Sequence, residues 1–197
     1  MSHAASTEQA RLLAAVEALL PQTQCRRCGY AGCGPYAQAL IGNGESLALC
    51  PPGGETTRQQ LAALLQRDDD AAALVSEPVR VAAIREIDCI GCTQCLDACP
   101  VDAIIGAAGR MHTVFTAWCT GCELCVPVCP TDCIEMPAAE RPLPDAEHNG
   151  ARYARRLARL DGRHTARRVP ALVEVEAEPD GLRATILAAV ARKRGEP

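Results

Sequence analysis

The chain has 197 residues, with 20 Lys and Arg against 24 Asp and Glu, and 13 cysteines beside one Trp, one Phe and three Tyr. So few bulky side chains cannot fill a large hydrophobic core, which excludes a big self-sufficient fold and leaves one ordinary domain or several very small ones. Small domains with thin cores rely on disulfides or metals. The opening MSHAASTEQARLLAAVEALLP carries no basic leader and its apolar run is broken by Glu17, so a reducing, cytoplasmic location is expected rather than a secreted, disulfide-stapled one.

In chain order, Ser6–Leu20 reads as an amphipathic helix. Ser6 and Gln9 are spaced as a capping box, Leu12, Leu13, Val16, Leu19 and Leu20 share one face, and Pro21 is the stop. Pro35–Ile41 suits a short helix with Pro in its first turn, ended at Gly42-Asn43-Gly44, and Cys50–Gly54 is a turn. Thr56–Arg67 reads as a second amphipathic helix with Leu61, Leu64 and Leu65 inward, followed by a solvated Asp68–Asp70 run. Residues 71–80 look like a linker, and Val81–Ile87 like a strand. Residues 137–150, with Pro137, Pro142 and Pro144, form a second linker. Ala151–Arg168 is an Arg-rich helical pattern, Val173–Glu176 alternates like a strand, and Asp180 caps a last predicted helix with Leu182, Ile186, Leu187 and Val190 on one side. The apolar runs Leu12–Leu20 and Ile186–Ala191 are well short of the ~18 residues a spanning helix needs.

Between the linkers lies an internal repeat of period 30. Cys89–Ile104, CIGCTQCLDACPVDAI, matches Cys119–Ile134, CTGCELCVPVCPTDCI. Each unit reads as a cysteine loop, a short helix and a return strand. Both carry C-x2-C-x2-C-x3-C-P, the spacing of a bacterial ferredoxin that holds two [4Fe–4S] clusters. One tight loop offers three thiolates to three irons of a cubane, and the fourth must come from elsewhere; in the doubled motif it comes from the other repeat. Cluster A is therefore assigned to Cys89, Cys92, Cys95 and Cys129, and cluster B to Cys119, Cys122, Cys125 and Cys99. Pro100 and Pro130 turn the chain away after the crossing ligand, and Gly91 and Gly121 are expected to let backbone approach the clusters. Zinc sites of four cysteines show two separated C-x2-C pairs instead.

The remaining group is Cys25, Cys28, Cys33 and Cys50, spaced C-x2-C-x4-C-x16-C. Its spacing alone admits zinc or a third [4Fe–4S] cluster, and the company of two cubanes and the Gly29, Gly32 and Gly34 loop favour the cluster. Cys133, which replaces Ala103 in the repeat, reads as a small side chain packed beside a cluster, with a redox-sensing thiol as the other reading. His3, His112, His148 and His164 show no ligand spacing and none is assigned to metal.

Residues 25–54, CRRCGYAGCGPYAQAL…CPPGG, resemble the small four-cysteine domain of the B subunit of Rnf-type (Rsx-type) electron-transport complexes, and residues 81–136 resemble the ferredoxin domain that follows it in the same subunit. The resemblance implies three [4Fe–4S] clusters and a role passing electrons within or towards a redox-driven complex. Members of that family usually begin with a membrane-spanning helix. This chain begins with a short amphipathic one, so a soluble relative is expected, cytoplasmic or peripheral on the cytoplasmic face of the inner membrane. The expected fold is α+β: a four-cysteine domain over 1–75, a 2[4Fe–4S] ferredoxin domain over 79–138, and a linker with a helical basic tail over 139–197.

The expected activity is that of an electron carrier, not an enzyme with its own substrate site. No GxGxxG loop, Walker motif or nucleophile–base pair is present, so flavin or nicotinamide chemistry would belong to a partner oxidoreductase or to another component of such a complex. Acidic residues beside the clusters, Asp88, Asp97, Asp102, Glu123 and Asp132, favour low potentials. The charge is divided: residues 1–150 carry 9 Arg against 18 acids, and residues 151–197 carry 11 Lys and Arg against 6 acids. A nucleic-acid-linked or regulatory module is the alternative, with Arg152, Arg155, Arg156, Arg159, Arg163, Arg167 and Arg168 tracking phosphates, but aromatic stacking platforms are lacking. A third reading anchors the same helix to a membrane surface through Tyr153, Leu157 and Leu160, or docks it on the acidic front of the chain itself.

Overall fold

A computed structural model describes residues 2–68, 78–139 and 142–167; the predicted Val173–Glu176 strand, the helix after Asp180 and most of the 71–80 linker lie outside the described residues. The architecture is mixed, with helices and two small sheets. By its contacts the chain divides into Met1–Ala158 and Arg159–Pro197, the second seen among the described residues only as the last turns of a helix.

Three helices form the first part: α1 Ser2–Leu19, α2 Cys33–Gly42 and α3 Gly54–Leu65. α1 starts before the predicted capping box, so Ser6 lies inside the helix and not at its N-terminus. Pro35 sits in the first turn of α2, where its missing N–H has no helical partner to lose. α3 ends in a left-handed Gln66, whose successor Arg67 donates its N–H back to the Ala62 carbonyl (3.1 Å). Val16, Leu20, Tyr36, Ala37, Leu40, Leu47 and Leu61 are buried together with Cys33 and Cys50. Leu61 is fully enclosed, but Leu64, predicted inward, points to solvent because α3 presents only a narrow stripe to the core. The buried Tyr36 hydroxyl donates to the Ser46 carbonyl at 2.7 Å, which satisfies its one polar atom.

The second part is built from four two-residue strands: β1 Ala83–Ile84, β2 Ile104–Ile105, β3 Thr113–Val114 and β4 Ile134–Glu135. β1 pairs antiparallel with β4, Ile84 opposite Ile134, and β2 with β3, Ile104 opposite Val114. Shifting by the repeat of 30 maps one ribbon onto the other, so the two cysteine loops are related by a pseudo-twofold. β1 is shorter than the predicted Val81–Ile87 strand. The chain leaves it at Glu86–Asp88 in a single 3-10 turn, held by Arg85, which pairs with Asp88 at 2.8 Å and with Glu135. The first repeat has its short helix, α4 Gln94–Ala98, but the second does not. Pro127 stands where Asp97 donates its N–H to the Thr93 carbonyl, and proline has no N–H to donate.

Gly91 and Gly121 are also required by the packing of the chain itself. Both have positive φ, +71° and +66°, and a Cβ there would lie 2.5 Å from the Arg110 nitrogen and 2.6 Å from the Arg80 oxygen. They let the cysteine loops close against neighbouring backbone. Gly109 has φ +69° with open space around it. Gly121→Ala is therefore expected to cost about 3 kcal/mol or more, and Gly109→Ala only about 1 kcal/mol, in denaturation of the anaerobic protein. Equal losses would show that conformation alone, not contact, selects glycine.

The final described helix, α5 Ala146–Arg167, begins before the predicted Ala151, so residues 146–150 belong to it and not to the linker. Asp145 is its cap, accepting the His148 N–H at 2.7 Å. Asn149 on its first turns is almost wholly buried and donates to the carbonyls of Pro144 and Pro21 (3.0 and 3.1 Å), tying α5 to the chain leaving α1. No helix among the described residues is long and apolar enough to cross a membrane.

Candidate metal centres

The thirteen cysteines form no disulfide, and eight of them line two cavities, four to each. One internal cavity is lined by Cys89, Cys92, Cys95 and Cys129. Another is lined by Cys119, Cys122, Cys125 and Cys99. Each takes three cysteines from one repeat and the fourth from the other, because each C-x3-C-P segment runs from its own loop to the far end of the ribbon. Peptide N–H groups point at the sulfurs: Ala82 to Cys119 (3.4 Å), His112 to Cys89 (3.3 Å) and Ala103 to Cys99 (3.2 Å). Such donors favour thiolate over thiol.

Cys33, at the start of α2, and Cys50, before α3, are buried in the helical core with Cys28 packed against them; Cys25 is in the loop before α2. The loop is shaped by left-handed Gln22, Gln24 and Arg26. Buried Gln24 accepts the Cys33 N–H at 3.0 Å, and a side chain at Gly32 would strike that amide oxygen. This glutamine brace was not legible in the sequence, since polar residues before a cysteine knuckle look like ordinary surface loop.

Burial pushes the Cys33 thiol up to about 11, opposed by the Gln24 backbone N–H and reinforced by Cys25 and Cys28. Burial likewise raises Cys50 to about 12, Cys95 and Cys122 to about 11 and Cys125 to about 12. Thiols this weakly acidic keep their protons through neutral pH, and binding to iron must displace them. Metal retention should therefore strengthen as pH rises and weaken as it falls. Chelator-driven bleaching of the visible absorbance is expected to speed up between about pH 8 and about pH 6; a rate that falls with acid would contradict this.

His112 was assigned no role from the sequence, yet it is buried beside Cys95, its Nδ1 3.3 Å from the sulfur. Cys133, expected to pack beside a cluster or to act as a redox-sensing thiol, lies 3.4 Å from the Cys129 sulfur, and Thr131 Oγ1 is 3.6 Å away. Burial pushes Cys129 up, but Thr131 and Cys133 outweigh it and hold this thiol below the ordinary value. Extending the repeat alignment that set Cys133 against Ala103 would have exposed the other two, His112 against Ala82 and Thr131 against Val101.

The Arg-rich helix engages its own chain. The Arg152 guanidinium lies 3.5 Å over the Trp118 ring and donates to the Val101 and Asp102 carbonyls (2.8 and 3.1 Å). Arg156 pairs with Asp102 at 2.7 Å and donates to the carbonyls of Leu96 (3.3 Å) and Asp97. These two arginines are thus spent on the cysteine-bearing segments, which weakens the phosphate-tracking reading.

The helical part and the ribbons also meet. The Thr120 hydroxyl, next to Cys119, donates to the Thr23 carbonyl at 3.2 Å. Arg27 and Pro51 from the first site face Thr120 and Gly121 across one cleft.

Paired four-cysteine cradles on a pseudo-symmetric ribbon fold, with donors aimed at sulfur, define an iron–sulfur protein with a dicluster ferredoxin module. Residues 82–136 match the family model of the 4Fe–4S dicluster domain, and residues 20–52 match that of a putative Fe–S cluster domain. The B subunit of the ion-translocating oxidoreductase complex of Pseudomonas aeruginosa (strain LESB58) is 57% identical over 131 residues, 66% of this chain and 67% of that protein. Its counterparts in Pseudomonas paraeruginosa (57% over 134 residues, 68% and 69%) and Shewanella sediminis (56% over 128 residues, 64% and 67%) are similar. The chain belongs to the family of B subunits of ion-translocating oxidoreductase complexes, the Rnf type, and is an iron–sulfur electron-transport protein.

Proposed function

We propose that this chain relays single electrons through three [4Fe–4S] clusters, held by Cys25, Cys28, Cys33 and Cys50, by Cys89, Cys92, Cys95 and Cys129, and by Cys119, Cys122, Cys125 and Cys99. A bound cubane supplies one-electron chemistry without proton or group transfer. The observation that carries the reading is the crossed lining of the two cavities, each closed by a cysteine from the other repeat. The Thr120–Thr23 hydrogen bond sets the Cys119–Cys125 loop beside the segment leading into the first site, which supports a relay in which the cluster of that loop is the neighbour of the first site. The residues bind and insulate: cysteine thiolates ligate, small core residues exclude water, and peptide N–H groups moderate the anionic charge.

The domains are read as 1–75, 79–138 and 139–197, the last beginning with the segment that docks back on the ferredoxin module. Donor and acceptor are taken to be flavin or iron–sulfur proteins, including other subunits of such a complex, in a reducing cytoplasmic setting. Anaerobic determination of iron, acid-labile sulfide and zinc per chain tests the reading. About 12 iron and about 12 sulfide without zinc is expected. About 8 iron with one zinc would make the first site structural and sink the three-cluster relay.

A further inference from the structure

The repeat of 30 allows an internal comparison between the two cavities. Their backbones match: Gly91 and Gly121, Thr93 and Glu123, and Asp102 and Asp132 are paired left-handed residues. The peptide donors match as well, Ala82 to Cys119 answering His112 to Cys89. The linings do not match. Where the Cys119 cavity has Ala82, Val101 and Ala103, the Cys89 cavity has His112, Thr131 and Cys133. Three apolar positions have become three side chains able to donate a hydrogen bond to a ligand sulfur.

Each is placed to do so. A metal-bound cysteine sulfur has no proton and can only accept, so at 3.3 Å the His112 Nδ1 must carry the proton towards Cys95. Consistently, the other ring nitrogen, Nε2, is buried without a partner, which is tolerable for a bare lone pair and costly for an N–H. By the same logic the Cys133 S–H, 3.4 Å away, and the Thr131 O–H donate to Cys129. In the opposite cavity Thr120, which stands where the first repeat has Ile90, hydrogen-bonds the Cys122 sulfur but shares its hydroxyl with the Thr23 carbonyl at 3.2 Å. Glu123 adds a carboxylate to that lining. The balance has one sign: three side-chain donors face the Cys89 cavity against one shared hydroxyl, Thr120, in the other; donors to sulfur favour adding negative charge, and a carboxylate opposes it.

We propose that His112, Thr131 and Cys133 are positioning residues that set the cluster of Cys89, Cys92, Cys95 and Cys129 at a higher reduction potential than its twin. The first electron entering the ferredoxin module then settles there. This rests on the two-cubane reading above. The step is uptake of one electron from dithionite, with no bond made or broken and no proton moved.

The test is an EPR-monitored redox titration of the full chain, with iron and sulfide assayed on each sample. The His112→Ala, Thr131→Val, Cys133→Ala variant carries the residues of the other repeat. Its higher-potential signal is expected to move down, lowering the ratio of the two reduced clusters at half-reduction by about tenfold, or about 59 mV for a one-electron couple. His112→Asn, whose amide can donate from nearly the same place, should restore part of the shift lost in His112→Ala. The reciprocal Val101→Thr, Ala103→Cys variant should raise the lower potential, and it decides the matter if the triple variant loses iron. Full iron with neither potential moved, or movement of the wrong signal, overturns the proposal. Wild-type protein with fewer than about eight iron in its ferredoxin module overturns the two-cubane reading instead.

Discussion

Cys99→Ser protein, purified without oxygen, is expected to lose about four of about twelve iron and to keep the cluster nearest to it in sequence. Cys99 follows directly on the Cys89–Cys95 loop, so a local reading assigns it to that loop's cluster. Its sulfur instead lines the cavity of Cys119, Cys122 and Cys125, and receives the Ala103 N–H at 3.2 Å. Serine there leaves three thiolates and a poor alkoxide donor, so the cluster of the second repeat should become labile and be lost. The mirror substitution, Cys129→Ser, should spare the second repeat and damage the first. EPR of the reduced proteins reads both. Loss of the Cys89–Cys95 signal in Cys99→Ser, with the other intact, would refute the crossed assignment.

Arg156→Ala is expected to destabilise the docking of α5 by about 2–3 kcal/mol. The side chain is nearly buried and satisfies the Asp102 carboxylate and the carbonyls of Leu96 and Asp97. Truncation strands the Leu96 and Asp97 carbonyls, and Asp102 keeps some access to water, which limits the loss. Leu96 and Asp97 lie in α4, between Cys95 and Cys99, so freeing α5 should loosen ligands of both clusters. The measurements are limited proteolysis within α5 and the rate of iron loss to a chelator, both expected to rise severalfold. Arg156→Lys keeps the charge but cannot fork to three acceptors, and should recover only part of the loss. Unchanged rates in Arg156→Ala would mean that the docked arginine is incidental to the clusters.

The cysteine pattern was highly legible. Three ligands of a cubane must come from one tight loop, which forces a C-x2-C-x2-C spacing that little else imitates, and the repeat supplies its own confirmation. Helices α1, α2 and α3 were legible to within a few residues because apolar period, proline and glycine act locally. The strands were not. Two-residue strands carry almost no alternation, and their pairing closes loops of some tens of residues. Leu64 was misplaced because a helical stripe gives only the approximate direction of the core.

By itself the sequence determined that this chain is an iron–sulfur protein and the family to which it belongs, because these depend on short-range spacing. Tertiary structure alone decided the environment of the cysteines. It brought His112 to Cys95, Thr131 and Cys133 to Cys129, and Gln24 to Cys33. It also turned Arg152 and Arg156 from apparent phosphate binders into clamps on Trp118 and Asp102. The physical reason is distance along the chain. Hydrogen bonds and stacking act over a few ångströms between atoms whose sequence separation, here about fifty residues for Arg156 and Asp102, leaves no local trace.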